Sequence, residues 1–157
     1  AVNFNSPGQV VVAGTATAVE RIISIAKAAG AKRALVLPVS VPSHCELMRP
    51  AAEQMAPLLA SVEINAPEIP IIHNADVSMH QDSGAIRDAL LRQLYNPVRW
   101  VESVQQIAAS DINTLVECGP GKVLAGLNKR IDRSMTALPI FDPASLEKAM
   151  TTVTAEG

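Results

Sequence analysis

An α/β fold built on a mostly parallel sheet is what this sequence predicts. Short β-branched runs, "RALVLPVSV", "IPIIHN", "TLVEC" and "MTALPI", alternate with stretches whose apolar residues recur at helical spacing. Strands separated by helices need crossover connections, and those give parallel pairing. The 157 residues, 48% of them hydrophobic, suffice for a buried core.

Val2 to Asn5 and Val10 to Ala13 flank the turn signal "SPG" and predict a hairpin. Thr17 and Glu20 have capping-box spacing, so a helix should follow, with Val19, Ile22, Ile23 and Ala26 on one face and its end at Gly30. "RALVLPVSV" is the next predicted strand, and it leads directly to His44. Ser43 with Glu46 suggests a second capping box over a short turn at residues 43 to 48. Pro50 then fits the first position of a new helix, which Pro57 should kink.

"IPIIHN" predicts a strand, and Asp82 or Ser83 caps a helix with Ile86, Leu90 and Leu94 on one face. Asn96-Pro97 ends that helix and opens another, with Val101, Val104 and Ala108 inward, that stops near Ser110. "TLVECGPG" reads as a strand running into a tight turn. The helix after it turns Val123, Leu124, Leu127 and Ile131 inward and carries Lys129, Arg130 and Arg133 at its electronegative end. "MTALPI" is the last strand, and a short helix near residues 144 to 150 closes the chain.

A formal net charge of −2 supplies no global field for duplex nucleic acid or an anionic membrane surface. No apolar run approaches the roughly 18 residues a membrane-spanning helix needs. The opening "AVNFNSPGQ" lacks signal-peptide character, and two cysteines make no disulfide framework, so a cytoplasmic setting is expected. The chain opens inside a predicted strand with no preceding cap, which suggests an excised or incomplete segment.

His44 is the first candidate for chemistry, because it lies at the C-terminal end of a predicted strand, where open α/β sheets place their ligand sites. At the start of a helical turn it is suited to act as a general base. The plainer alternative is a hydrogen-bonded, half-buried histidine. No G-x-S-x-G motif supplies a nucleophile, and Ser40 and Ser43 fit strand and cap positions. Cys45 adjoins His44 but neighbours on a helix do not face each other, so Cys45 and Cys118 read as small core residues.

His44, Cys45, His73, Asp76 and His80 are metal-ligand types, yet neither C-x2-C nor H-E-x-x-H spacing occurs, and no metal site is expected. Gly119-Pro120-Gly121-Lys122 before a helix suggests an anion cradle. It lacks the full phosphate-loop pattern, and a structural turn is the favoured reading.

"VNFNSPGQVVVAG", "AKRALVLPVSVPSHCELMRPAAE", "AIRDALLRQLYNPVRW" and "VECGPGKVLAGLNKR", in this order, closely resemble the C-terminal half of the bacterial malonyl-CoA:acyl carrier protein transacylases. The resemblance implies an acyltransferase of fatty-acid synthesis. Such an enzyme moves malonyl from coenzyme A to a serine and then to the phosphopantetheine thiol of acyl carrier protein, by ping-pong kinetics and without a cofactor. It also implies part of a small ferredoxin-like subdomain over residues 1–38, and part of an α/β-hydrolase-like core over residues 39–157.

Under this resemblance His44 of "PSHC" is the base, oriented by the backbone carbonyl of Gln93 in "RQLY". The last carbonyls of a helix have no intrahelical donor, and Asn96-Pro97 ends the helix just after Gln93, so its oxygen is free to accept Nδ1–H. Asn3 and Asn5 match an N-x-N pair beside the acyl pocket. Hydrogen bonds that hold the hairpin explain them as well.

The family's serine motif G-H-S-L-G-E, its G-Q-G-S-Q segment and its malonyl-binding arginine are absent. The expected partners are therefore malonyl-CoA, acyl carrier protein and the missing N-terminal half, with no nucleic acid or membrane, and the chain alone should not transfer malonyl. The alternative is a non-catalytic interaction or regulatory module derived from this fold, binding carrier protein or another partner through Lys122, Lys129, Arg130 and Arg133.

Overall fold

A computed structural model describes residues 1–156. In chain order it contains β1 (Asn3–Ser6), β2 (Gln9–Val11), α1 (Ala16–Ala28), a 3-10 turn (Glu46–Met48), α2 (Arg49–Ala60), α3 (Ser83–Arg92), α4 (Trp100–Ala108), β3 (Thr114–Cys118), α5 (Val123–Ile131), β4 (Thr136–Ile140) and α6 (Pro143–Glu156). This is an α/β fold of helices with a small parallel sheet. Two compact units are present, one of residues 1–4 and 10–99, the other of residues 5–9 with the chain from Trp100 onward. The expected boundary after residue 38 falls inside the first unit.

In the first unit, α1 starts two residues earlier than the expected box. Thr15, not Thr17, is the N-cap, and its hydroxyl accepts the Ala18 N–H at 3.4 Å. The end is as the glycine predicts: Gly30 has φ +89, and the N–H groups of Gly30 and Ala31 bond to the carbonyls of Lys27 and Ala26. That is a Schellman motif, which the missing Cβ of Gly30 permits. No residue of α1 is buried, and Ile22 and Ile25 are exposed.

"RALVLPVSV" does not form the expected strand. Residues 33–41 pair with no strand among the described residues, and Leu35, Val36, Leu37, Val39 and Val41 are exposed. A β-branched run satisfies its backbone only when a neighbouring strand supplies the other half of the ladder. "IPIIHN" is reduced for the same reason to a single antiparallel bridge, Ile72 with Met79.

Helix α2 has Met48 as N-cap, so Pro50 sits one place later than expected, and Ser43 and Glu46 make no box because Cys45 precedes the 3-10 turn. Asp82 caps α3 by accepting the Ala85 N–H at 2.9 Å. Arg87 of α3 then donates to the Leu59 and Val62 carbonyls at the end of α2. Val98 bridges to Asn3 in parallel fashion and exchanges backbone bonds with Val2 and Phe4.

The second unit is a β-α-β unit followed by a helix. β3 and β4 run parallel in register from Thr114 opposite Thr136 to Cys118 opposite Ile140, with α5 between them in sequence and α6 packed on β4. Val104, Leu127, Met135, Ala137, Leu138 and Ala149 are buried. Trp100 donates its indole N–H to the buried Asn128 side chain at 3.0 Å. Helix α6 runs further than the expected residues 144 to 150. Among the described residues no helix is long and apolar enough to cross a membrane.

The Gly119-Pro120-Gly121 turn is structural, and the anion at the start of α5 is the protein's own. Glu117 accepts the N–H groups of Leu124 and Ala125 at 3.1 and 2.7 Å. Its carboxylate satisfies donors that a phosphate would otherwise take. Glu117→Ala should therefore lower unfolding free energy by about 1 kcal/mol, as loss of a charged helix cap does, measured by urea denaturation.

Candidate active site

His44 is delivered by a kinked, irregular segment. The N–H groups of Val39 and Ser43 each bond to the carbonyl two residues back, Leu37 and Val41, both at 2.8 Å, which bends the chain tightly on either side of Ser40. His44 then takes φ +64, in the left-handed region. Histidine is among the few non-glycine residues enriched there, and such conformations persist at functional sites when surrounding bonds enforce them.

Two bonds enforce this one, and both come from the end of α3. The His44 backbone N–H donates to the Leu94 carbonyl at 3.0 Å. The ring atom Nδ1 lies 2.7 Å from the Gln93 carbonyl oxygen. A carbonyl can only accept, so Nδ1 carries the hydrogen; in the neutral imidazole Nε2 is then left with a free lone pair. The ring is half-buried, so it is not sealed in aliphatic packing.

The geometry of α3 explains why those two oxygens are available. The Arg92 carbonyl is used locally, accepting from the N–H groups of Tyr95 and Asn96 and from the Asn96 side-chain amide at 2.8 Å. Gln93 and Leu94 follow in a turn before Pro97, and their carbonyls point to donors outside the helix. Ending the helix here creates the acceptors, and His44 takes both.

Cys45 turns back on its own segment, with Sγ 3.1 Å from the Pro42 carbonyl. Arg49 forks onto Glu46, and its guanidinium lies 4.2 Å from the centre of the Tyr95 ring. That stacking joins the start of α2 to the turn that holds His44. Asn3 and Asn5 occupy alternate positions on β1, both half-buried.

The other two histidines belong to a separate polar cluster. Asp76 accepts from His80 Nε2 at 3.0 Å and from Arg92 at 2.8 Å, while the His73 and His80 rings lie 5.1 Å apart. No group of three or more His, Cys, Asp or Glu residues is arranged to hold a metal ion among the described residues. Burial raises the Asp76 carboxyl, but the hydrogen bonds from His80 and Arg92 outweigh it and hold the pKa below the usual carboxylate value. Burial, with a smaller contribution from His80, lowers that of His73.

The family resemblance pointed to the Gln93 carbonyl, but nothing in the sequence pointed to the Leu94 contact, the Arg49–Tyr95 stack or the Asp76–Arg92 tie. The last joins residues 16 apart through an irregular loop, which has no periodic signature. The left-handed His44 carries only a weak sequence signal, the enrichment of histidine in that region.

Residues 1–143 match the acyl transferase domain family. The malonyl CoA-acyl carrier protein transacylase of Salmonella typhimurium is 59% identical over 150 residues, covering 96% of this chain and 48% of that protein. A crystal structure of acyl-carrier-protein S-malonyltransferase from Burkholderia pseudomallei superimposes with a TM-score of 0.94 at 53% identity, over 96% of this chain and 49% of that one. A type II PKS acyl-carrier protein in complex with its malonyl-transacylase also matches, with a TM-score of 0.94, 54% identity and the same shares of the two chains. The chain spans about half the length of the curated relatives it matches.

The two lowered pKa values fix the sign of the acid response. A folded His73 that binds its proton less readily than the unfolded chain contributes stability that is intact above its ordinary value of 6.5 and declines as pH falls below it. Asp76 adds a second loss as pH falls from its ordinary 3.8 through its lowered folded value. Urea midpoints should fall on acidification from neutrality, and Asp76→Asn should be less stable than the native chain at neutral pH but converge with it at the acid end.

Proposed function

The chain belongs to the acyl transferase domain family, and from that premise we propose that it supplies the histidine base of a malonyl-CoA:acyl carrier protein transacylase. The observation that carries this reading is the Nδ1 hydrogen bond to Gln93, which leaves Nε2 free for proton transfer.

In the first half-reaction Nε2 of His44 takes the proton of a serine hydroxyl as its oxygen attacks the malonyl thioester. The new C–O bond forms, the C–S bond breaks, and the imidazolium returns its proton to the departing thiolate of coenzyme A. In the second, the phosphopantetheine thiol gives its proton to Nε2 and attacks the serine ester, and the serine oxygen leaves with that proton. Nothing is oxidised or reduced, and the reaction needs no cofactor.

A backbone carbonyl in place of a carboxylate suits this chemistry. It selects the tautomer without burying an anion beside the malonyl carboxylate. Thiols, with pKa values of about 8.5, leave far more readily than amines, so a weakly assisted imidazole is adequate. Asn3 and Asn5 are proposed as amide donors to the bound acyl group.

The serine, the oxyanion donors and the arginine for the malonyl carboxylate would come from the portion of the relatives that this chain does not cover. Exposed residues 35–41 fit that arrangement, because a strand from such a partner would complete their ladder. Residues 1–38 would then complete a small ferredoxin-like subdomain and residues 39–157 an α/β-hydrolase-like core in the cytoplasm. The malonyl-transacylase complexed with an acyl-carrier protein supports carrier protein as the second substrate.

Mixing or joining the chain with the N-terminal half of the Salmonella typhimurium relative should give malonyl transfer that the chain alone lacks. His44→Ala should reduce the assembled rate by about 10²–10⁴-fold, the range of general acid–base catalysis. Gln93→Ala, which keeps the carbonyl, should change it little. Full activity of His44→Ala would overturn the proposal.

A further inference from the structure

We propose that Asp76 is a positioning residue for His44, acting through Arg92 to fix the carbonyl oxygens of Gln93 and Leu94 that orient the imidazole. This inference rests on the reading of His44 as the base. It adds a residue far from His44 in sequence whose effect passes through the backbone of another element.

Arg92 is the last residue of α3, directly before the two residues whose carbonyls hold His44. Its guanidinium has two carboxylate partners of different kinds. Asp88, bonded at 2.6 Å, lies on the same helix and is 62% exposed, so it cannot fix the helix relative to anything else. Asp76, bonded at 2.8 Å and 19% exposed, comes from the loop before α3. The Arg92–Asp76 bond therefore ties the helix end to a separate element.

That loop holds the Asp76 carboxylate firmly. One oxygen accepts the Ser78 N–H at 3.2 Å, and the other accepts from His80 as well as from Arg92. The loop closes on itself through His73 N–H to Ser78 O and Val77 N–H to His73 O. Val77 is held at φ +57, a genuine outlier for a β-branched residue, which marks a backbone conformation enforced by its surroundings. The same loop is bonded a second time to the segment after α3, where the Arg99 N–H donates to the Asn74 carbonyl at 3.0 Å. Gln93 and Leu94 lie between these two ties.

The consequence for His44 follows from hydrogen-bond geometry. Its ring bond is short, and N–H···O bonds weaken as the separation passes about 3.2 Å or the angle closes. A left-handed His44 relaxes once the two carbonyls loosen their hold, and the imidazole is then free to turn and exchange tautomers. Releasing Arg92 from Asp76 should misplace the base without removing it.

Ring-nitrogen NMR of the 15N-labelled chain reads this directly, with the His44 signal assigned by its loss in His44→Ala. At mildly alkaline pH the native chain should show Nδ1 protonated and Nε2 bare. Asp76→Asn and, as an independent cut of the same tie, Arg92→Gln should shift the pattern toward a mixture of tautomers, while Asp88→Asn should leave it native. In the assembled enzyme the first two should lower kcat about tenfold with KM for malonyl-CoA nearly unchanged, the signature of a mispositioned catalytic group. The inference is overturned if both cuts keep the native tautomer and kcat, or if Asp88→Asn matches them. A native tautomer that responds as expected, combined with a fully active His44→Ala, would instead refute the base and leave the positioning intact.

Discussion

One hydrogen bond, from His44 Nδ1 to the Gln93 carbonyl, gives the rest of this structure its chemical meaning. It constrains the ring because the acceptor can do nothing but accept, so the tautomer follows from the geometry. It also constrains the fold, since α3 must end where it does to leave the oxygen free. The Asn96 side-chain amide occupies the neighbouring Arg92 carbonyl, so the acceptors that reach His44 are those of Gln93 and Leu94.

The α/β character, most helices and the β3–α5–β4 unit were legible in the sequence because their signals are local. Apolar periodicity marks α3 to α5, Gly30 marks the end of α1, and Asn96-Pro97 marks the turn that exposes Gln93. The strands expected at residues 33–41 and in "IPIIHN" were not formed, for a reason no local pattern contains: β-branched sequence encodes a readiness to pair, and pairing depends on what lies alongside. The candidate site was legible only in part. His44 could be reached from chain order and the Gln93 oxygen from the family resemblance, with helix termination explaining why that oxygen is free, whereas the left-handed His44 backbone and the second bond from Leu94 depend on tertiary closure.

The start of α5 bears out the structural-turn reading of Gly119-Pro120-Gly121. A glycine-rich turn before a helix is a general anion site, but Glu117 from the preceding strand supplies the anion. The result is a capped helix within a compact β-α-β unit. By contrast, α1 and residues 35–41 leave apolar surface uncovered in a chain that spans about half of its relatives' length.

Membership of the acyl transferase domain family supplies the context, and the hydrogen-bonded imidazole supplies the reason to assign chemistry to these residues. The most direct test of that assignment is chemical rescue. In the assembled enzyme His44→Gly removes the ring, and added imidazole can enter the space and act as an external base. Malonyl transfer by His44→Gly should rise with imidazole concentration while the native enzyme is unaffected. A variant that transfers malonyl at the native rate without imidazole would contradict that assignment.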